Sequence, residues 1–260
     1  APALLLPVER SNTAGAAEAA GAAEAAGTVH GTEGAEGAEG AEGAGAGSEA
    51  DTRRPHRVLL IIADDLGVDS LGTYADVDGD GIGDDGRSYA PTPTIDALCA
   101  DGVRYTQAWA HPTCSPSRAS MLTGRFGMRT GVGHALPPGR PGLDLDEPTL
   151  PRWLSGHPEL DVATAAIGKW HLGATDETGG PLSPNQFGWD HYAGNLEAGV
   201  SNYFHWMRVE DGETAGSSTY ATTAQIDDAL SWLDGRESDE SWLLWVGLVA
   251  PHEPFHAPPT

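Results

Sequence analysis

Three short apolar runs, each stopping at side chains capable of chemistry, limit how this chain can fold. Arg57 to Ala63 reads Arg-Val-Leu-Leu-Ile-Ile-Ala and ends at Asp64-Asp65. Val162 to Ile167 ends at Gly168-Lys169-Trp170-His171, and Trp242 to Ala250 ends at Pro251-His252. Continuous apolar runs of this length are the pattern of strands buried on both faces, the condition of a parallel sheet. Between them lie helical patterns, as at Ile226, Leu230 and Leu233 in the segment from Tyr220 to Leu233. Strands alternating with helices build an α/β sheet, and open sheets of this kind bind ligands beyond the carboxyl ends of their strands. Asp64 and Asp65, Lys169 with His171, and His252 are therefore expected to converge on one site.

Residues 1–54 follow a different logic. They are mostly Ala, Gly and Glu in short repeats, including Glu-Gly-Ala triplets from Glu33 to Ala44. A segment with so few apolar side chains cannot offset the entropy of ordering. Its recurring Gly also costs a helix about 1 kcal/mol each against Ala. We read 1–54 as a disordered low-complexity tether and 55–260 as the folded part. Leu4-Leu5-Leu6 falls short of a signal-peptide core, which needs roughly 7 to 15 apolar residues. No stretch reaches the ~18 apolar residues of a membrane span. The chain opens on Ala1 rather than Met, so its start is read as incomplete and its expected location as exported: periplasmic, cell-surface or secreted.

The formal net charge is -24. Nine acids and three arginines in 1–54 account for -6 of it, leaving -18 on the remainder. That balance argues against nucleic acid as a partner, and any anion site must be built from local cations. Lys169 is the single lysine, the 13 other strong cations being arginine. A lone Lys in so Arg-biased a chain points to a site wanting a compact ammonium.

Of the two cysteines, Cys99 falls in a helix expected over Thr94 to Ala100, on one face with Ile95 and Leu98. It reads as a small buried apolar residue rather than half of a disulfide. Cys114 opens Cys114-Ser115-Pro116-Ser117-Arg118-Ala119-Ser120-Met121-Leu122-Thr123-Gly124-Arg125. Pro116 suits the first turn of a helix, where its missing N–H would be unpaired anyway. Cys114 then stands at a helix N-terminus, which favours an anion, with Arg118 one turn on as a fixed positive charge.

This segment resembles the signature of the type I sulfatases, Cys-x-Pro-Ser-Arg followed by Leu-Thr-Gly-Arg. Gly168-Lys169-Trp170-His171-Leu172-Gly173 is similar to the second signature of that family. Ala63-Asp64-Asp65-Leu66-Gly67 resembles its first metal-binding strand, Thr92-Pro93-Thr94-Ile95-Asp96 the helix after it, and Ala250-Pro251-His252 the segment bearing a further acid or base. The resemblance runs from about Arg57 to Thr260. It implies an alkaline-phosphatase-like α/β/α sandwich with a mostly parallel central sheet, truncated at the C-terminus. It implies sulfate-ester hydrolysis by a formylglycine hydrate made from Cys114 by a formylglycine-generating enzyme. Lys169 and Arg118 would hold that hydrate, His171 act as base and His252 assist the leaving oxygen. Ca²⁺ would sit on Asp64, Asp65 and the formylglycine of residue 114, completed by a later Asp-Asn pair that this chain does not contain.

Two alternatives stand beside this one. The same superfamily includes phosphonate and phosphodiester hydrolases, whose substrates are nearly isosteric with sulfate esters. A non-catalytic calcium-dependent binding protein is the other, because the acidic insertion over 76–87 spaces Asp76, Asp78, Asp80, Ile82 and Asp84 like an EF-hand-type loop but carries Arg87 where the bidentate Glu belongs. Tyr203, Phe204 and Trp206 fit an aromatic wall or core packing, with packing the default. His111 is a candidate pocket residue and His256 a candidate substrate contact. His134, His191 and His205 read as structural or exposed.

Overall fold

The computed structural model describes residues 4–7, 55–75 and 89–259. The acidic loop from Asp76 to Asp84 and most of the proposed tether lie outside the described residues. Among the described residues seven strands form one sheet: β1 (Leu4–Pro7), β2 (Arg57–Ala63), β3 (Val162–Lys169), β4 (His191–Asn195), β5 (Trp206–Glu210), β6 (Glu213–Ser217) and β7 (Ser241–Leu248), in the order β1-β2-β7-β3-β4-β5-β6. The central four, β2, β7, β3 and β4, are parallel. The flanking strands β1, β5 and β6 pair antiparallel. The three apolar runs are thus the middle of the sheet, as their continuous hydrophobicity predicts. Leu4–Pro7 departs from the reading of 1–54 as a uniform tether: its backbone pairs with β2 from Leu4 opposite Ile61 to Pro7 opposite Val58.

Between β2 and β3 come α1 (Gly72–Ala75), α2 (Pro93–Asp101), α3 (Cys114–Thr123), α4 (Gly127–Thr130) and α5 (Leu150–Ser155). α6 (Ser183–Gln186) precedes β4, and α7 (Ala221–Asp234) joins β6 to β7. Alternation along β3 and β7 sorts side chains to two faces. Ala166, Leu243 and Trp245 pack with Ala119 and Leu122 of α3 on one. Ala165, Ile167, Leu244 and Val246 pack with Ala229 and Trp232 of α7 on the other. Helices on both faces of a mostly parallel sheet make the expected α/β/α arrangement. Each fully buried aliphatic side chain in it, such as Leu244, contributes about 1.5–3 kcal/mol relative to exposure.

The expected helix around Cys99 exists as α2, but it buries none of its residues. Cys99 is half-buried and free, and Leu98 is exposed, which corrects the reading of Cys99 as a buried core residue. Local spacing put an apolar face on this helix without specifying anything to cover it.

Candidate active site

α3 begins at Cys114 itself. Thr113 enters the helix in extended conformation, and Gly124 ends it at φ 67 with its N–H bonded to the Ser120 carbonyl at 2.8 Å. That left-handed conformation is one Gly adopts without penalty. Ser117 reinforces the start, its hydroxyl donating to the carbonyl of Thr113 at 2.8 Å. Cys114 is thereby fixed at the positive end of a ten-residue helix.

Lys169 ends β3 and His171 follows it by two residues. The sulfur of Cys114 lies 3.1 Å from Nδ1 of His171. The other ring nitrogen, Nε2, is 2.9 Å from the Leu136 carbonyl. A carbonyl can only accept, so Nε2 carries the hydrogen and Nδ1 turns a lone pair to residue 114. Burial is the main cause that lowers the His171 pKa to about 4, partly opposed by the Leu136 carbonyl. The imidazole is neutral at pH 7 and free to take a proton.

Asp64, at the end of β2, is buried with two cations. Lys169 Nζ donates to its Oδ2, and Nη2 of Arg118 lies 3.6 Å from Oδ1. Arg118 is 1% exposed and spans the sheet end to donate from Nη1 to the Lys169 carbonyl at 2.6 Å. Burial pulls its pKa below the ordinary value, opposed by Asp64 and then Cys114. Nε and Nη2 of Arg118 are buried without a hydrogen-bond partner. Such donors favour oxygen-rich anions.

Gly247 makes room for this guanidinium. Gly168 pairs with Gly194 on one side and Gly247 on the other. A Cβ on Gly247 would sit 2.8 Å from Nη1 of Arg118.

Asp65 and His171 both have positive φ, 63 and 53. For non-Gly residues this costs roughly 1–2 kcal/mol each, and both stand just past the ends of central strands. The side chain of Asp65 is mostly exposed, with Nε2 of His252 3.7 Å from its Oδ2. Nδ1 of His252 bonds the Glu253 carbonyl at 2.8 Å. His252 therefore joins the site through Asp65 rather than through residue 114.

A cavity of about 380 Å³ opens beside Cys114, lined by Asp64, Asp65, His111, Arg118, Trp109 and Phe126 among others. Two carboxylates of hard oxygen on its wall fit a cation such as Ca²⁺, which takes six to eight oxygens. Among the described residues no group of three or more His, Cys, Asp or Glu side chains is placed to hold a metal.

The remaining histidines sort by contact. His111 lines the cavity and bonds Ser120 Oγ at 2.9 Å. His256 packs on Tyr203 and bonds the Tyr220 hydroxyl at 2.9 Å. His191 pairs with Asp211, and His134 and His205 are exposed. Tyr203 and Trp206 are core, as the packing default expects, while Phe204 is 38% exposed. Not anticipated were Ser115, which accepts from the Leu136 N–H at 3.1 Å, and the carbonyl of Leu136. The second is a backbone group 22 residues from Cys114, and no side-chain pattern marks it.

The family model described as Sulfatase matches residues 56–260. The chain belongs to the sulfatase family. It is 29% identical over 225 residues to mouse arylsulfatase J, covering 80% of this chain and 34% of that one. It is 40% identical over 136 residues to human arylsulfatase A, covering 51% and 24%. Among solved structures it is similar to Ps i-CgsB in complex with k-i-k-neocarrahexaose, at 28% identity and a TM-score of 0.64, over 79% of this chain and 47% of that one. The PsFucS1 sulfatase from Pseudoalteromonas sp., at 22% identity and a TM-score of 0.61, over 78% of this chain and 45% of that one, shares the fold. This sulfatase chain spans less than half the length of each of these relatives.

Proposed function

We propose that this chain carries the nucleophile of a sulfate-ester hydrolase, with Cys114 as the precursor of formylglycine. The observation that carries the reading is residue 114 at a helix N-terminus, 3.1 Å from a neutral His171 and beside Arg118, two of whose buried nitrogens have no hydrogen-bond partner. Conversion replaces the thiol by an aldehyde whose hydrate has two hydroxyls.

One hydroxyl attacks sulfur in line and releases its proton to water; the S–O bond to the alcohol breaks, and the alcohol oxygen takes a proton from His252, which water then reprotonates. A sulfate ester of residue 114 remains. His171 Nδ1 then removes the proton of the second hydroxyl, the C=O re-forms, and the C–O bond to sulfate breaks. Arg118 and Lys169 neutralise charge that gathers on the oxygens during both steps. Asp64 and Asp65 would hold Ca²⁺, which when bound polarises and orients the sulfate.

The proposed setting is an exported protein, its partners a sulfate ester and, during maturation, a formylglycine-generating enzyme. Turnover of an aryl sulfate against an aryl phosphate diester tests the reading. Preference for the sulfate is expected; hydrolysis of the diester alone would move the chain to the phosphodiester branch.

A further inference from the structure

Ser115 is completely buried, yet no step above uses it. Its Oγ accepts the Leu136 N–H at 3.1 Å. The carbonyl of the same Leu136 accepts the Nε2–H of His171 at 2.9 Å, and Nδ1 of that ring lies 3.1 Å from the sulfur of Cys114. Cys114 and Ser115 are consecutive in α3, so these contacts close a ring through one residue of a distant loop. Leu136 is followed by Pro137, which keeps it out of the α region and restricts where its carbonyl points.

We infer that Ser115 is a positioning residue for the reaction: through Leu136 it holds His171 in the tautomer whose bare Nδ1 faces residue 114. The inference rests on the proposed role of His171 as base. A histidine exposes the lone pair of one nitrogen only when the other carries the hydrogen, and the acceptor facing that other nitrogen decides which. Here the acceptor is main chain. It can be aimed only by fixing its segment, and the Ser115 hydroxyl does so from the residue next to the nucleophile. The helix that places residue 114 thus also registers the base against it, so the two move together.

The test compares Ser115→Ala and Ser115→Thr in the full-length protein, each checked by mass spectrometry for conversion of Cys114. With conversion equal to wild type, Ser115→Ala is expected to lower kcat about tenfold, a fraction of the ~10²–10⁴ that a general base supplies, with KM within about twofold. Ser115→Thr, which keeps the hydroxyl, is expected to restore most of kcat. Unchanged kcat in Ser115→Ala, or a loss that Thr does not restore, overturns the assignment and leaves Ser115 a packing residue.

A second measurement does not depend on the variants folding. Nitrogen-15 NMR of the imidazoles, with His171 assigned by its loss in His171→Asn, is expected to place the hydrogen on Nε2 in the protein with Cys114 unmodified. A hydrogen on Nδ1 overturns the inference. A wild type inert toward every sulfate ester would sink the activity reading, while the NMR result would still judge the link from Ser115 to His171.

Discussion

Nδ1 of His171 lies 3.1 Å from the sulfur of Cys114, across 57 residues of chain. The contact joins the start of α3 to the end of β3, and it gives His171 one role in the proposed cycle: removing the proton from the second hydroxyl of the hydrate. Replacing it should stop the cycle after the first transfer.

His171→Ala is therefore expected to lower turnover by about 10²–10⁴ and to accumulate the sulfate ester on residue 114. Intact-mass measurement after incubation with an aryl sulfate reads this directly. A slow variant with no adduct would place His171 before the transfer instead.

The pH dependence of stability follows from the same ring. His171 titrates near 4 in the folded protein against about 6.5 unfolded. A folded value below the unfolded one gives a contribution that is complete above about pH 6.5 and is lost as pH falls toward 4. At full extent it is about 3 kcal/mol. Urea denaturation at about pH 7 and about pH 4 is expected to show wild type losing more stability than His171→Asn by a sum of that order. Equal losses would mean that the ring is not buried in its neutral form.

The buried pair of Lys169 and Asp64 gives a third expectation. Their side chains are 0% and 6% exposed. Lys169→Met leaves the carboxylate with Arg118 alone, at 3.6 Å. Breaking a buried pair from one side costs about 3 kcal/mol or more, and urea unfolding measures it. A loss below about 1 kcal/mol, the worth of an exposed pair, would contradict the burial of this cluster.

Glycine spacing gives a fourth. Gly168 has φ 97, and a Cβ there would lie 2.2 Å from the Gly247 carbonyl oxygen. Gly168→Ala is expected to destabilise by about 4 kcal/mol or more. Gly156→Ala, where the nearest atom would be 3.4 Å away, should stay within about 1 kcal/mol. Thermal midpoints of the two separate these outcomes, and equal midpoints would contradict the tight crossing of β3 and β7.

Much of this was legible in the residues because buried parallel strands announce themselves by continuous apolar runs. Arg57–Ala63 matches the expected strand end to end, and α3 and α7 lie where their spacing and Pro116 put them. The convergence of Asp64, Lys169 and His171 followed from strand ends alone. The last parallel strand, β4, and the antiparallel β5 and β6 carry no such signal: they are five residues each and mix polar with apolar side chains. The Leu136 carbonyl was invisible because main-chain acceptors have no sequence signature. Cys99 misled because a helical face says nothing about what lies opposite it.

The central claim is that residue 114 is an aldehyde in the working protein. Mass spectrometry of the peptide carrying Cys114, from active protein expressed in its own organism, tests this most directly. The account predicts formylglycine, read as loss of the thiol and gain of an aldehyde that reacts with a hydrazine probe. An unmodified thiol in an active preparation would contradict it.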